Sequence, residues 1–299
     1  AGYHCDGSKQ FRSGISSSAK MQAFSTTTTE RAASDIGIFQ LSFDLYQSFK
    51  ARGFWLYSAW VEVLLGYRST LLGPLWSVIG TAFFVFGIGA LFKTMMGAQG
   101  ELYIAHLAVG YVLWQYIQKT IVQSSKFFQI SSSSILDGIA TYTDVMLKES
   151  LKNLITLLHN CLIVLLAFLY IGLVPSFLSL ILLFTVPLVL AVVFFISMAL
   201  GILGARYPDL VEMLSSVMRL MFFLTPILWV PVEGGRGALF NAVLYLNPFY
   251  YLIEVVRGPL VYGTMPYFEI AVVGVALLVS WLAASLLYAR TKSVIALWL

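Results

Sequence analysis

The chain has 299 residues, of which 59% are hydrophobic and 11% charged, with a mean hydropathy of +0.86. A soluble domain carries about 25% charged residues, so this composition excludes one and defines a polytopic membrane protein. The net charge of +4, from 18 basic and 14 acidic residues, is too small to argue for nucleic acid.

Residues 1–35 are rich in Ser, Thr and Gly, with STTTT at 25–29, and hold no apolar core of signal-peptide type. They read as a flexible cytoplasmic tail. From Ile36 to Gly73 the pattern changes, with Phe39, Phe43, Tyr46, Phe49, Phe54, Trp55 and Trp60 mixed with Lys50, Arg52 and Glu62. Such a mixture predicts amphipathic helices lying in the membrane interface, their aromatics at headgroup depth. A six-span transmembrane domain, 74–299, follows, with spans at 74–92, 103–123, 153–173, 177–203, 210–229 and 268–288. Each is near the roughly 20 apolar residues that cross a bilayer. In the stretch GYRSTLLGPLWSVIG, Gly73 allows a turn out of the interface, and Pro74 suits the first turn of the first span. Segment 230–267 carries Pro231, Pro248, Pro259 and Pro266 and two apolar pieces too short to span. It is expected to be an external re-entrant helical hairpin, a form tolerated where protein or a water-filled cavity covers the backbone. The predicted fold is therefore all-α.

Orientation follows from Lys and Arg. With the amino terminus inside, 13 of the 18 basic residues are cytoplasmic; Lys93, Arg236 and Arg257 are external, and Lys119 and Arg219 lie within spans. This asymmetry predicts both termini inside. It also makes 130–152 a cytoplasmic loop, in which Gly138 and a cap at Thr143 or Asp144 suggest a short helix ending near Lys152. That helix is either a contact for a peripheral motor or a plain connector.

Polar residues inside the spans are the next signal. Tyr111, Gln115, Gln118, Lys119 and Val122 share one helical face. A lysine in hydrocarbon costs roughly 2.5–3.5 kcal/mol on insertion scales, so Lys119 and Arg219 should face protein or water. They mark either a polar or anionic permeation path or interhelical pairing, for Arg219 with Glu212. Tyr111, Trp114, Phe222 and Trp229 are candidates for an aromatic lining along which a sugar chain slides on its C–H faces. His4, His106 and His159 are scattered, Cys5 and Cys161 are far apart in character, and neither set has metal-ligand spacing. No phosphate-binding loop occurs: GIGALFKT, the nearest string, lacks the glycine before its lysine. With no catalytic constellation at membrane depth, the chain is expected not to be an enzyme by itself.

Several strings, in order, resemble the membrane-spanning permease subunit of bacterial polysaccharide ABC exporters of the O-antigen or capsule type. They are LGYRSTLLGPLW at 65–76, HN at 159–160, ARYPDL at 205–210, FFLTPILW at 222–229, LNPFYYLIEVVRGPL at 246–260 and the terminal IALWL. The resemblance covers about 54–299 and is weaker over 130–151. It implies a homodimer in the bacterial inner membrane, docked on two separate ABC ATPase subunits that bind ATP and Mg; no cofactor belongs to this chain. It also implies that the surface helix and the loop with Asp137, Asp144, Lys148 and Glu149 meet the ATPase. Asn247, Pro248, Tyr250, Glu254 and Arg257 would form a gating hairpin, and a lipid-linked glycan would move outward. In that setting Arg68 is either a contact for the anionic lipid headgroup or a snorkelling anchor. A capsular, teichoic-acid or small-lipid or drug exporter is the alternative. An ion-coupled secondary transporter fits less well, because no internal repeat is visible and the acidic residues cluster near span ends.

Overall fold

The computed structural model describes residues 37–68, 73, 75–96, 102–231, 242 and 244–299. The expected tail, Pro74 and part of the external hairpin lie outside these. All regular secondary structure among the described residues is helical.

Two short helices open the described chain, α1 (Gln40–Lys50) and α2 (Gly53–Arg68). Phe39, Phe43, Tyr46 and Phe49 point outward while Leu41 and Leu45 are buried, which is the two-sided character expected of interface helices. Gly73, at φ 54°, takes the left-handed conformation that turns the chain toward α3 (Leu75–Met96). Next come α4 (Tyr103–Ile130), the single-turn α5 (Ser132–Leu136) and α6 (Tyr142–Ile171). A 3₁₀ turn (Phe177–Ile181) leads into α7 (Leu182–Arg206), followed by α8 (Leu210–Leu224). The described chain ends with α9 (Pro248–Arg257), a π-helical turn (Gly258–Tyr262), α10 (Tyr267–Thr291) and a 3₁₀ turn (Ile295–Leu297).

Among the described residues, four segments are long and apolar enough to cross a bilayer: Leu75–Phe92, Tyr142–Ile171, Phe177–Arg206 and Tyr267–Thr291. Expected spans two and five differ from these for separate reasons. The second falls on α4, whose 28 residues reach roughly 42 Å at 1.5 Å per residue, but His106, Gln115, Gln118, Lys119 and Gln123 dilute its apolar character. The fifth falls on α8, which has only 15 residues because the backbone turns extended at Thr225, just before Pro226.

The short helix expected near Lys152 is not a separate element. Thr141 caps a helix that begins at Tyr142 and runs unbroken to Ile171, with no Gly or Pro to stop it earlier. The cap is reciprocal: the Asp144 N–H donates to Thr141 Oγ1 (3.1 Å), and the Thr141 N–H donates to Asp144 Oδ2 (3.0 Å).

Helix α4 is the axis of the bundle, packing against α3, α6, α7, α8 and α9. Its crossing with α7 is close because Gly201 and Gly204 present no side chain: a Cβ on Gly204 would stand 2.0 Å from the Ser125 carbonyl oxygen. The Gln129 amide donates to the Gly204 carbonyl at 2.9 Å across the same contact.

Candidate functional site

Three places in the fold collect the polar and aromatic residues. The first is a cleft between α4 and α8. Tyr111 stacks on Phe84 of α3 at 3.9 Å between ring centroids and 13° between planes. Phe222 of α8 meets Tyr111 at 6.2 Å and Trp114 at 5.9 Å. With Gln115, Gln118 and Arg219 these rings line a hollow of about 350 Å³. A second hollow of about 350 Å³ adjoins it, shares Gln115 and Gln118, and adds Lys119, Val122 and Ser215. The helical face read from the sequence is thus a real surface, because residues three and four apart on α4 stand one above another.

Its polar groups are held in definite ways. The Trp114 indole N–H donates to Gln118 Oε1 at 2.8 Å. The Asn160 amide donates to Gln115 Oε1 at 3.2 Å, tying α6 to the wall. Lys119 is exposed and donates to Thr156 Oγ1 at 3.3 Å. Arg219 does not pair with Glu212; it donates to the Ser215 carbonyl (3.3 Å) and Ser216 Oγ (3.2 Å) of its own helix. Trp114 is 1% exposed, so it backs the wall more than it faces the hollow. Trp229 and Arg68 do not share the cleft. The Trp229 indole folds back to the Phe223 carbonyl at 3.1 Å, and Arg68 is exposed at the end of α2.

The second place is a charged clasp between α2 and α6. Glu62 of α2 accepts from Lys148 (2.8 Å) and Lys152 (2.7 Å) of α6, and Glu149 closes the set at 3.6 and 3.0 Å from the same two ammonium groups. Burial alone pushes the Glu62 carboxyl up, yet the two lysines outweigh it and hold it below its ordinary value. Lys148 and Glu149 therefore bind the surface helix, while Asp137 is exposed on the connecting loop. Beside them, Asp44, Ser48, Thr141, Thr143, Tyr288 and Lys292 surround a cavity of about 360 Å³. Tyr288 Oη (2.6 Å) and Lys292 Nζ (2.5 Å) both donate to Asp44, so α1 is pinned to α10.

The third place is the start of α9. Asn247 caps it by accepting from the Phe249 N–H at 3.0 Å, with Pro248 in the first turn, and its amide donates to Thr225 Oγ1 at 2.8 Å. Tyr250 packs on Tyr251 at 5.0 Å. Arg257, expected as an external charge, is fully buried. It pairs with Glu254, donates to the Pro226 carbonyl at 2.6 Å and meets His106 Nε2 at 3.1 Å. A guanidinium only donates, so Nε2 carries the lone pair; a neutral imidazole then has its proton on Nδ1, which donates to Tyr262 Oη at 2.6 Å. Gly110 leaves room for this, since a Cβ there would approach Arg257 Nη1 to 3.3 Å. Nothing in the sequence singled out His106 beyond its rarity, because its partners lie about 150 positions away.

Among the described residues no group of three or more His, Cys, Asp or Glu stands together to hold a metal. All-helical structure among the described residues, with four helices there able to cross a bilayer, makes this a multi-pass membrane protein. No protein-family model matches the chain. The O-antigen export system permease protein RfbA of Klebsiella pneumoniae is 28% identical over 221 residues, covering 71% of this chain and 81% of that protein. The chain thus resembles polysaccharide-export permeases across most of its length, as well as in the motif strings.

Proposed function

We propose that the chain is the permease subunit of an ATP-driven ABC exporter that moves lipid-linked polysaccharide from the cytoplasm across the inner membrane. The observation that carries this reading is the aromatic and cationic wall of α4 and α8, in a chain similar to an O-antigen export permease. Stacked rings offer a sugar chain apolar faces without fixing its register, which suits transport of a long polymer better than tight binding of one unit. Six spans follow if α4 and α8 join the four apolar helices. Helix α4 is long enough, and its polar face opens on the cleft it shares with α8, where an aqueous path would solvate Lys119. Both termini then lie in the cytoplasm, and α9 with the turn after it belongs to the external re-entrant hairpin. Two copies form the path, and each docks a separate ATPase subunit at α1 and the loop around Asp137.

The test is reconstitution. The purified chain alone is expected to hydrolyse no ATP, whereas the complex with the ATPase encoded beside it hydrolyses ATP faster when lipid-linked glycan is present. A cysteine in place of Asp137 should crosslink to that ATPase. Turnover by the chain alone, or normal surface glycan in cells lacking it, overturns the proposal.

A further inference from the structure

The charged groups of the α4–α8 cleft all have one sign. Lys119 opens on one hollow and Arg219 on the adjoining one, and no carboxylate lines either. Neither cation has an acidic partner within ion-pair distance among the described residues, although Glu62, Glu149, Asp44 and Glu254 all pair with lysine or arginine elsewhere. Glu149, the acid nearest Lys119 in effect, is already held by Lys148 and Lys152. The Arg219 contacts engage Nε and Nη2 along its own helix, leaving Nη1 without a partner among the described residues.

Gln118, common to both hollows, adds to the bias. Indole N–H is a donor only, so the bond from Trp114 engages the Gln118 oxygen and turns its NH₂ away from the ring. The wall therefore combines two cations, an amide donor and aromatic faces. Both cations are exposed, so an anion can reach them, and apolar walls strengthen their field.

We infer that this cleft selects polyanionic cargo: Lys119, Arg219 and Gln118 recognise oxyanions, carboxylate or phosphate, carried on or with the glycan, while Phe84, Tyr111 and Phe222 support the sugar faces. This rests on the proposed role of the cleft as the glycan path. The oxyanions have two sources, acidic sugars along the chain or the phosphates of its lipid carrier.

The test uses the full chain in nanodiscs of zwitterionic lipid, titrated with an oligogalacturonate, a neutral maltooligosaccharide of equal length, and inorganic pyrophosphate. The acidic oligosaccharide should bind about tenfold tighter than the neutral one at about 50 mM salt, and the difference should collapse at about 500 mM. Lys119→Gln combined with Arg219→Gln should remove the preference; Lys119→Arg with Arg219→Lys should keep it. Displacement of oligogalacturonate by pyrophosphate supports carrier phosphates as occupants of the same cations, and lack of displacement supports charges on the sugar chain. Equal binding of the two oligosaccharides, or a preference that survives the double Gln substitution, overturns the charge selection alone. Failure of all three probes to bind overturns the glycan-path reading with it.

Discussion

Gly204 and Arg257 carry more of the fold than their neighbours. At Gly204 the α4 backbone occupies the space of a side chain, with Ser125 C at 2.6 Å and O at 2.0 Å from the position of a Cβ. Gly204→Ala must push the two helices apart, and overpacking of this kind costs about 1–3 kcal/mol. A lowered Tm in detergent, with loss of the Gln129–Gly204 bond, is the expected outcome. Arg257 serves as a buried junction between α4, α9 and the turn after α8. Removing it leaves Glu254 uncompensated and the Pro226 carbonyl without that donor, and breaking a buried pair from one side costs about 3–5 kcal/mol. Arg257→Ala should therefore destabilise strongly. Arg257→Lys should recover only part, since an ammonium cannot reach Glu254, Pro226 and His106 together with the fork geometry of a guanidinium. Thermal unfolding of both variants in the same detergent checks the order.

Among the elements, α2 depends most on charge for its place. Its contact with α6 runs through Glu62, whose carboxyl is held below its ordinary 4.5 by Lys148 and Lys152. A carboxyl with a lowered value contributes its full stabilisation above the ordinary value and loses it as pH falls through the lowered one. The clasp should hold at neutral pH and open only in acid below the ordinary 4.5. Spin labels on α2 and α6 should separate on acidification, and Glu62→Gln should give the separated distance already at pH near 7, beyond the range in which glutamate titrates. Constant distances across that range would assign the clasp no share in holding α2. The same element scale explains α6. Its reciprocal Thr141–Asp144 cap starts the helix at Tyr142, eleven residues before the expected span at 153.

At the scale of the whole molecule, the bundle has two distinct ends. The loop at Ile139 and the start of α10 at Tyr267 lie at opposite ends, because Tyr288, roughly 32 Å along α10 from Tyr267, packs on Tyr142 beside that loop. In a chain lacking Cys5 and Cys161, a cysteine at exposed Ile139 should react with an impermeant maleimide from the cytoplasmic side only. One at exposed Tyr267 should react from the opposite side only. Labelling of both from one side contradicts the six-span arrangement.

The class of the protein was legible in its composition, because a chain with 59% hydrophobic residues has no stable place outside a bilayer. Periodicity also identified the face of Tyr111, Gln115, Gln118 and Lys119, since helical spacing alone sets which residues stand above one another. Motif strings in order gave the relationship to export permeases. Tertiary structure decided the partners. Arg257, read as lying on the outer side, is buried against His106; Lys148 and Glu149, expected as ATPase contacts, also clasp Glu62. Trp229 read as lining and turns back on α8. The first two depend on which helix lies beside which, over separations of 86 and 151 residues, whereas the Trp229 contact is local. One-dimensional spacing fixes the face a side chain occupies, whereas the packing of glycines such as Gly204 fixes what stands opposite it.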